Sequence, residues 1–598
     1  MLGNLQLAYE LDTQLANIAP NEARHQVNRA RLCMRNDQEA EATAILKSIV
    51  PEVIQNPYIL LQLSQMYMLV NESQKALDTM YRARKLGIDL PQVHEGYFSL
   101  FLHLEDEIKD LEPNEVAVET SVLLVTEDQE HWFSISNDKN ISARDWEFSP
   151  KSEIAQLLMG CKEGQSIDLD TDFFGKRTWV IKKIQSKYVR AFQETLEEFN
   201  MRFPKSNSIR KIRVENEDVT PFLTKVAGMS TRVHQILDLY KQGKFTIDQL
   251  SASIGHNRVD TFIGLIADEG AGPYASIGST MDQQYQKNVI RRVNETTIDL
   301  SALLTCSYLG ILELLRKRFS KIFVPQHFLD ELNVILEERR LTLKKGYSTI
   351  GYNGNNFFFI EVPRNQIETS INQLLELKSF VQDNCVVTPI SPNYADQIAQ
   401  VANINRDDRL SSFAAIIIAD QTQTPIFADD AQLRSIAQGF IKVPGFWSQI
   451  LLDDLKARQI INPEGYVDAC IKLLLAGYRY TAVNLEVISQ TLEKYKFETN
   501  RYTLAVINAL RGPETIEDNA VNIAALVIDA LWVGHIPVEL KFNMLNNFLW
   551  ALTAGRVSDI VLIKLMQKIK PGLNDYDYNE IIKQIRLWAS IDRELRKH

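Results

Sequence analysis

The sequence predicts a multidomain fold: α-solenoid repeats, a small β-rich domain, an α/β/α domain with a parallel sheet, and an all-helical C-terminal domain. Three observations predict it. The length of 598 residues is several times the ~150 residues of an average domain. Apolar residues recur at helical spacing near both ends, and β-prone segments that end near an acid lie between them. The expected segments are a helical repeat region at 1–115, a β-rich domain at 116–190, a helical connector at 191–290, an α/β/α domain at 291–445 and a helical domain at 446–598.

Small and apolar residues repeat along the first segment. The stretch Pro57 to Gly87 resembles one tetratricopeptide repeat, and a step back of ~34 residues places Ala30 under Ser64 and Ala42 under Ala76. The copy nearest the start is the weakest and supplies only the second helix of a repeat. Because half a repeat leaves an apolar face uncovered, we expect further repeats or a protein partner to cover it.

The second segment carries four short phrases with β-prone character. They are Phe148-Ser-Pro150, Ala155-Gln-Leu-Leu-Met-Gly160, Lys162-Glu-Gly164-Gln-Ser-Ile-Asp-Leu and Trp179-Val-Ile-Lys-Lys-Ile. Together they resemble the C-terminal domain of the Gre-type transcript-cleavage factors. The resemblance implies docking on RNA polymerase, and without a long acidic coiled coil before the domain the cleavage role of that family does not carry over. A rigid spacer or protein-binding module is the alternative.

The third segment is predicted to be helical. Within it, Thr246 to Arg258 contains the Ala-x-x-Gly turn spacing of a helix-turn-helix at Ala252 and Gly255. DNA reading is one interpretation of this spacing. A helical connector is the interpretation we favour, because no second basic helix flanks the turn. The Gly-rich stretch Gly270 to Gly278 is the expected link into the next domain.

Three acidic phrases mark the fourth segment. Asp299 follows a β-prone run, Glu331 closes the phrase Pro-x-x-Phe-x-x-Glu, and Asp429-Asp430 follows Pro425-Ile-Phe-Ala. An α/β sheet presents such acids together at the carboxyl ends of its parallel strands. Clustered carboxylates repel one another, and a hard divalent cation would neutralise them.

This order of phrases resembles the PIN-domain nucleases. The resemblance implies catalysis and Mg²⁺ or Mn²⁺ binding by Asp299, Glu331 and Asp430. The third acid of that family falls on Ser411 or Ser412, which cannot supply a charge. Asp408, one turn earlier, is a candidate fourth acid or else only a helix N-cap, and Asp429 is the neighbour that could replace Asp430.

An insertion between the second and third phrases combines cations with aromatic residues. An Asn353-Gly354 hairpin signal separates two aromatic strands. Phosphates need charge and unpaired bases can stack, so these residues suit single-stranded RNA, although a solvated surface hairpin is the alternative. The candidate substrate-binding residues are Arg339, Arg340, Lys344, Lys345, Tyr347 and Tyr352.

Composition limits the remaining classes of function. The net charge is −11, so any nucleic-acid contact must come from a local basic patch. Five scattered cysteines without a C-x-x-C pair are typical of reduced thiols in a cytoplasmic protein and not of a disulfide frame or zinc site. Apolar runs are too short to span a membrane, and no signal peptide is evident. Neither a Walker loop nor H-E-x-x-H occurs in usable context.

The order of domains resembles the bacterial proteins that combine tetratricopeptide repeats, a Gre-type C-terminal domain and a PIN nuclease. What this resemblance implies is a metal-dependent endoribonuclease effector of a defence or stress system that hydrolyses phosphodiesters with water. The alternative is a non-catalytic adaptor or transcription-associated scaffold with a degenerate PIN domain. The segment 446–598 carries apolar residues at helical spacing and no chemical constellation.

Overall fold

The chain is a mostly helical, multidomain protein with a parallel sheet, as the sequence predicts. It divides into two compact units. The N-terminal unit comprises Asn4–Ala227 and Asn333–Asn372, and the C-terminal unit comprises Gly228–Leu332 and Gln373–His598. None of the helices described is long and apolar enough to cross a membrane. The computed structural model describes every residue except 1–4, 20–21, 37, 105–111, 138–146, 172–174, 205, 207–219, 268–270, 344–346, 353–355, 392–412, 482, 513–514, 570–572 and 596–598.

Six helices that pack against their neighbours begin the N-terminal unit. Small residues lie where these helices touch: Ala30, Ala42 and Ala76 are fully buried, and the Ser64 hydroxyl donates a hydrogen bond of 2.7 Å to the Ala76 carbonyl. The first helix is different, because its residue Ile18 is 79% exposed. The six are α1 (Leu5–Ile18), α2 (Ala23–Arg35), α3 (Glu39–Ser48), α4 (Pro57–Leu69), α5 (Ser73–Leu86) and α6 (Pro91–Leu104), with a 3-10 helix at Pro51–Val53.

A five-stranded sheet of order β3-β2-β1-β5-β4 follows. Its strands pair antiparallel except for β2 and β3, and Phe133 and Trp179 lie in its core. The β-rich character predicted for 116–190 is therefore present, while the relation to Gre-type factors stays a prediction. The elements are β1 (Thr120–Val125), β2 (Glu130–Ile135), β3 (Glu147–Phe148), β4 (Ser166–Thr171), β5 (Gly175–Ser186), α7 (Glu153–Leu158) and α8 (Lys187–Arg202).

Helices predominate in the connector and alternate with strands in the segment after it. The Ala-x-x-Gly turn joins two of these helices, with Gly255 in the left-handed region at φ 77°. The helices are α9 (Thr220–Lys241), α10 (Ile247–Ile254), α11 (Arg258–Ala267), α12 (Thr280–Arg291), α13 (Leu300–Leu309), α14 (Leu312–Arg318), α15 (Gln326–Leu343), α16 (Arg364–Asn384), α17 (Ala414–Gln421), α18 (Ala431–Ile441) and α19 (Ser448–Ala457).

A second five-stranded sheet, of order β10-β7-β6-β11-β12, forms the centre of the C-terminal unit. Every pairing in it is parallel, which confirms the predicted parallel sheet. Its middle strands have buried faces on both sides, since helices precede and follow each strand. The strands of this part of the chain are β6 (Glu295–Ile298), β7 (Lys321–Pro325), β8 (Tyr347–Tyr352), β9 (Phe357–Val362), β10 (Val386–Thr388), β11 (Ile426–Phe427) and β12 (Gly445–Phe446).

The predicted hairpin is confirmed in the insertion. Strands β8 and β9 pair antiparallel with Tyr352 opposite Phe357, while the predicted Asn353-Gly354 turn lies outside the described residues. The two rings have centroids 4.7 Å apart. The hairpin belongs to the N-terminal unit, whereas the parallel sheet belongs to the C-terminal unit.

Beyond β12 the described residues form only helices, as the sequence predicts for 446–598. Buried apolar side chains line their contacts, among them Phe548 and Leu565. No cluster that could hold a metal ion occurs among the residues described here. After α19 the helices are α20 (Pro463–Leu475), α21 (Leu485–Lys494), α22 (Arg501–Asn508), α23 (Glu517–Val533), α24 (Val538–Thr553), α25 (Ser558–Lys568) and α26 (Asp575–Leu595).

A buried ion pair joins two helices of the C-terminal unit. Arg318, at the end of α14, pairs with Asp454 of α19, and both side chains are almost fully buried. Arg318 also donates to the carbonyls of Ile290 and Val293, at 2.5 and 3.0 Å. One guanidinium therefore satisfies a buried carboxylate and two carbonyl oxygens that water does not reach.

Replacing Arg318 by Met should lower the free energy of unfolding by about 3 kcal/mol, because it leaves the Asp454 carboxylate buried with fewer partners. Urea titration monitored by circular dichroism measures the loss. The matched control is Arg316→Met, since Arg316 is exposed on the same helix and should change stability by less than about 0.5 kcal/mol. Equal losses in the two variants would contradict the structural role of the buried pair.

Candidate functional site

Asp299 lies at the carboxyl end of β6, where it is the N-cap residue of α13. Its Oδ2 accepts hydrogen bonds from the backbone N–H and the hydroxyl of Ser301, at 2.9 and 2.5 Å. Its own N–H donates to the Phe427 carbonyl of β11 at 2.8 Å. The strand pairing and the cap together fix this carboxylate, which is 6% exposed.

Asp430 follows β11, the strand next to β6, and is the N-cap residue of α18. Two backbone N–H groups donate to its carboxylate: Leu433 of its own helix at 2.9 Å, and Ile247 at the start of α10 at 2.7 Å. The residue is 3% exposed. Two helix N-termini therefore point at one carboxylate, and their N–H groups favour its charged form.

The environment of Asp430 opposes its ionisation all the same. The pKa of Asp430 is raised to about 6, because burial and the negative charge of Asp299 raise it more than the two backbone hydrogen bonds and the charge of Arg434 lower it. Burial and a neighbouring carboxylate both disfavour the charged form of a carboxyl group.

Glu331 lies in the second turn of α15, and its carboxylate is bound by Arg258, at the start of α11. The Arg258 Nε lies 3.2 and 3.0 Å from the two carboxylate oxygens, and Nη2 bonds the second oxygen as well. Burial lowers the pKa of Arg258, but the charges of Glu331, Asp299 and Asp248 outweigh burial and hold it well above the ordinary value. The Arg258 guanidinium is thus a positive charge beside Glu331 and Asp299.

A small cavity of about 20 Å³ lies between these side chains. Its lining includes Asp299, Ser301, Asp430 and Arg258, but Glu331 is not part of it. A volume of roughly 10–15 Å³ already holds one water molecule, so this space has the size of one water or one small ion.

Asp299 and Asp430 fit a hard divalent cation, because their carboxylates line an ion-sized cavity, which Asp248 lines as well. Glu331 has the right chemistry, but both its oxygens are engaged by Arg258. In this conformation the described part of the chain contains no group of three acids, histidines or cysteines that could hold a metal. A third ligand would have to be Asp248, which also lines the cavity, or Glu331 after it leaves Arg258.

Asp429 has different contacts from its neighbour. Its carboxylate accepts hydrogen bonds from the backbone N–H and hydroxyl of Ser448, at 2.8 and 2.6 Å, and from the Tyr478 hydroxyl at 3.4 Å. Burial raises its pKa, and the Ser448 hydrogen bonds lower it. Asp429 therefore binds the first turn of α19 and does not line the small cavity.

The other residues that the sequence marks are placed as follows. Asp408, with Ser411 and Ser412, lies outside the described residues, as do Lys344 and Lys345. Arg339 and Arg340 lie in the last two turns of α15, where Arg340 is exposed. Tyr347 and Tyr352 are the first and last residues of β8.

Sequence reasoning missed Arg258 and the N–H of Ile247 as parts of this site. Both lie in the helix-turn-helix-like stretch, which the structure packs on the acidic edge of the sheet. Arg258 is 73 residues from Glu331 and Ile247 is 183 residues from Asp430. The sequence shows only a capped helix start and a lone arginine in this stretch. Neither feature identifies Glu331 or Asp430 as the partner, because both acids are far away in sequence.

Residues 297–439 match the family described as a PIN domain associated with the TPR-GreAB-C-PIN system. The match begins in β6 and ends in α18, so it contains Asp299, Glu331 and Asp430. Comparison with curated proteins and with solved structures gave no match. The matched segment is similar to PIN domains, and the parallel sheet that carries these acids lies in and around it.

The raised pKa of Asp430 predicts a pH-dependent stability. Since its folded pKa of about 6 exceeds the usual 3.8, the folded state is favoured while this carboxyl is protonated. That contribution is present below pH ~4 and is lost as pH rises through about 6. As the pH rises from 4 to 7.5 in EDTA, titration of this carboxyl should lower the free energy of unfolding of the unaltered chain by roughly 2–3 kcal/mol. Asp430→Asn has no carboxyl at this position and should not show this loss.

Urea titrations across this pH range measure the difference. The control is Asp238→Asn, because Asp238 is exposed on α9 and should leave the pH profile unchanged. Parallel profiles for Asp430→Asn and the unaltered chain would show that the Asp430 carboxyl does not titrate in this range.

Proposed function

We propose that this protein is a divalent-metal-dependent endoribonuclease that acts as an effector of a bacterial defence or stress system. The observation that supports it is the pair Asp299 and Asp430, which follow adjacent parallel strands and line one ion-sized cavity. This pair lies in the segment that matches a PIN domain, and PIN domains are generally nucleases. The carboxyl end of a parallel sheet is also where such folds bind ligands.

The proposed cofactor is Mg²⁺ or Mn²⁺, held by Asp299, Asp430 and, once it has left Arg258, Glu331. Such an ion would lower the pKa of the attacking water and stabilise negative charge on the phosphodiester. Asp408 is the proposed fourth acid.

The protein's own groups prepare the site in this proposal. Ser301 holds Asp299 through Oδ2, and Oδ1 accepts no hydrogen bond from any described residue. The N-termini of α10 and α18 hold both oxygens of Asp430 in place. Fixed carboxylates of this kind do not have to reorganise when they bind a cation, which is the advantage of a preorganised site.

The hairpin region is the proposed contact for single-stranded RNA. Its cations Arg339, Arg340, Lys344 and Lys345 would bind phosphates, and Tyr347 and Tyr352 would stack on bases. Two further aromatic rings of β9, Phe357 and Phe358, are 39% and 42% exposed, although solvent-facing phenylalanines are unusual. A local contact of this kind is needed because the chain as a whole carries a net charge of −11.

The remaining assignments belong to the same proposal. The helices of 1–104 would bind a protein partner or further repeats, and the β-rich domain would dock on RNA polymerase. The proposed location is the cytoplasm. The exposed apolar side chains of α1, including Leu7, Leu11 and Ile18, support a protein contact at the first helix.

Asp299→Asn tests the nuclease. The change removes one ligand charge with little change in shape, so cleavage of a labelled single-stranded RNA in Mn²⁺ should fall by at least about a hundredfold. EDTA should abolish the cleavage by the unaltered chain, and Asp238→Asn should retain it. Unchanged cleavage in Asp299→Asn, or cleavage that persists in EDTA, would exclude this site as the metal centre.

Arg258→Gln tests whether the guanidinium competes with the metal. Removing it frees Glu331 and deletes a positive charge beside Asp299, so Mn²⁺ should bind at least about tenfold more tightly. Isothermal titration with Mn²⁺ measures the affinity, and Arg292→Gln, an exposed arginine of the same unit, is the control. Weaker Mn²⁺ binding would show that Arg258 supports the metal site. Slower cleavage at unchanged Mn²⁺ affinity would show that Arg258 contacts the RNA.

A non-catalytic adaptor is the second candidate function. The observation that favours it is the Arg258–Glu331 pair, which neutralises one of the three acids without a metal. In an adaptor the pair would be a structural contact between α11 and α15. The same titration separates the two candidates, because an adaptor should not bind Mn²⁺ at this site even when Arg258 is replaced.

A further inference from the structure

A larger cavity lies in the C-terminal unit, apart from the acidic site. Its volume is about 710 Å³, which is within the range of roughly 300–1,000 Å³ typical of small-molecule sites. Its wall is formed by the end of α9, the segment 271–274, the loop after α20, the helix α22 and the loop after α24. Five separate parts of the chain therefore enclose it.

The charged side chains on the cavity wall are all positive. They are Lys241, Arg479, Arg501 and Arg511, and none of the lining residues is acidic. Within the described part of the chain, no carboxylate forms an ion pair with Lys241, Arg501 or Arg511. The four positive charges on this surface are opposite in sign to the chain's net charge of −11. A concave wall concentrates their electric field. The local potential favours an anion.

Glycines fix the shape of the wall at two points. A Cβ on Gly272, where φ is +56°, would lie 2.0 Å from the Gly477 carbonyl oxygen, and a Cβ on Gly555 would lie 2.7 Å from the Gly512 carbonyl oxygen. Backbones approach this closely only where side chains are missing. Close backbone contacts therefore border the cavity at these two points.

An aromatic ring and an amide complete the lining. The half-buried Tyr274 is held through its backbone, because its N–H donates to the Tyr240 hydroxyl at 2.8 Å and its carbonyl accepts from the Ala431 N–H at 2.9 Å. Asn508 of α22 is exposed on the same wall. Guanidinium groups bind phosphates, an aromatic ring stacks on a base, and an amide pairs with its edge.

We propose that this cavity binds a ligand of the nucleotide class, with its phosphates on Lys241, Arg479, Arg501 and Arg511 and its base against Tyr274. The ligand is either a free nucleotide or short oligonucleotide, or the end of an RNA strand, since all present phosphate and a base. The proposal does not depend on nuclease activity.

Contacts of two lining residues connect this cavity to the acidic edge. The Tyr274 carbonyl accepts from Ala431, the residue after Asp430. The Tyr478 hydroxyl lies 2.6 Å from that of Thr305 in α13 and 3.4 Å from Asp429. A ligand in the cavity would therefore touch groups that hold α13 and α18, the helices that Asp299 and Asp430 cap.

The test is isothermal titration of the full-length chain at low salt and in EDTA, with ATP, inorganic pyrophosphate and a 5′-phosphorylated dinucleotide. ATP or the dinucleotide should bind more tightly than pyrophosphate. Lys241→Gln combined with Arg511→Gln should weaken binding by at least about tenfold, because each removes a charge-assisted contact. Arg586→Gln, an exposed arginine of α26, is the control and should not change the affinity.

Tyr274→Leu provides a second variant. It should weaken ATP binding and leave pyrophosphate binding unchanged, because only the nucleotide carries a base. A single-stranded RNA of about ten nucleotides tests whether the ligand is the end of an RNA strand. If this RNA binds and the small nucleotides do not, and the paired Gln variant weakens it, the ligand is the strand. Absence of binding by all four probes, or equal weakening by Arg586→Gln, would overturn the proposal.

Discussion

The hydrogen bond from the Asp299 N–H to the Phe427 carbonyl is the contact on which the geometry of the acidic site depends. It continues the pairing of β6 with β11 by one residue beyond the strand. Parallel strands end at the same edge, so this pairing brings Asp299 and the residues after Phe427 together although they are far apart in sequence. Each acid then caps the helix that follows its strand, and the strand-to-helix turn directs both carboxylates to one cavity.

Charge compensation is the second constraint. Buried carboxylates need positive partners, because the charged form is strongly disfavoured in an apolar interior. Here the partners include the guanidinium of Arg258, the charge of the buried Arg434 and the N-termini of α10 and α18. The Arg258 guanidinium therefore balances the charge of Glu331, and the N-termini of α10 and α18 stabilise the Asp430 carboxylate.

The charged side chains that line the larger cavity are positive, whereas those of the acidic site are mostly negative. Its cations come from α9, α22 and the loops after α20 and α22, and its glycine contacts let backbone segments of the wall approach closely. Tyr274 and Tyr478 contribute both to this cavity and to the supports of the acidic edge. The two sites therefore share structural elements, and a ligand at one would act on the residues that position the other.

The sequence by itself determined the parallel sheet, the aromatic hairpin and the position of Asp299 and Asp430 at strand ends. These features depend on local periodicity, turn chemistry and the rule that parallel strands end at one edge. Only the tertiary structure decided that Arg258 binds Glu331, that Asp430 accepts from the Ile247 N–H, and that Asp429 accepts from Ser448 of α19. It also decided that four cations distant in sequence face one cavity. Such pairings join residues tens to hundreds of positions apart, and no local pattern encodes the packing that selects them.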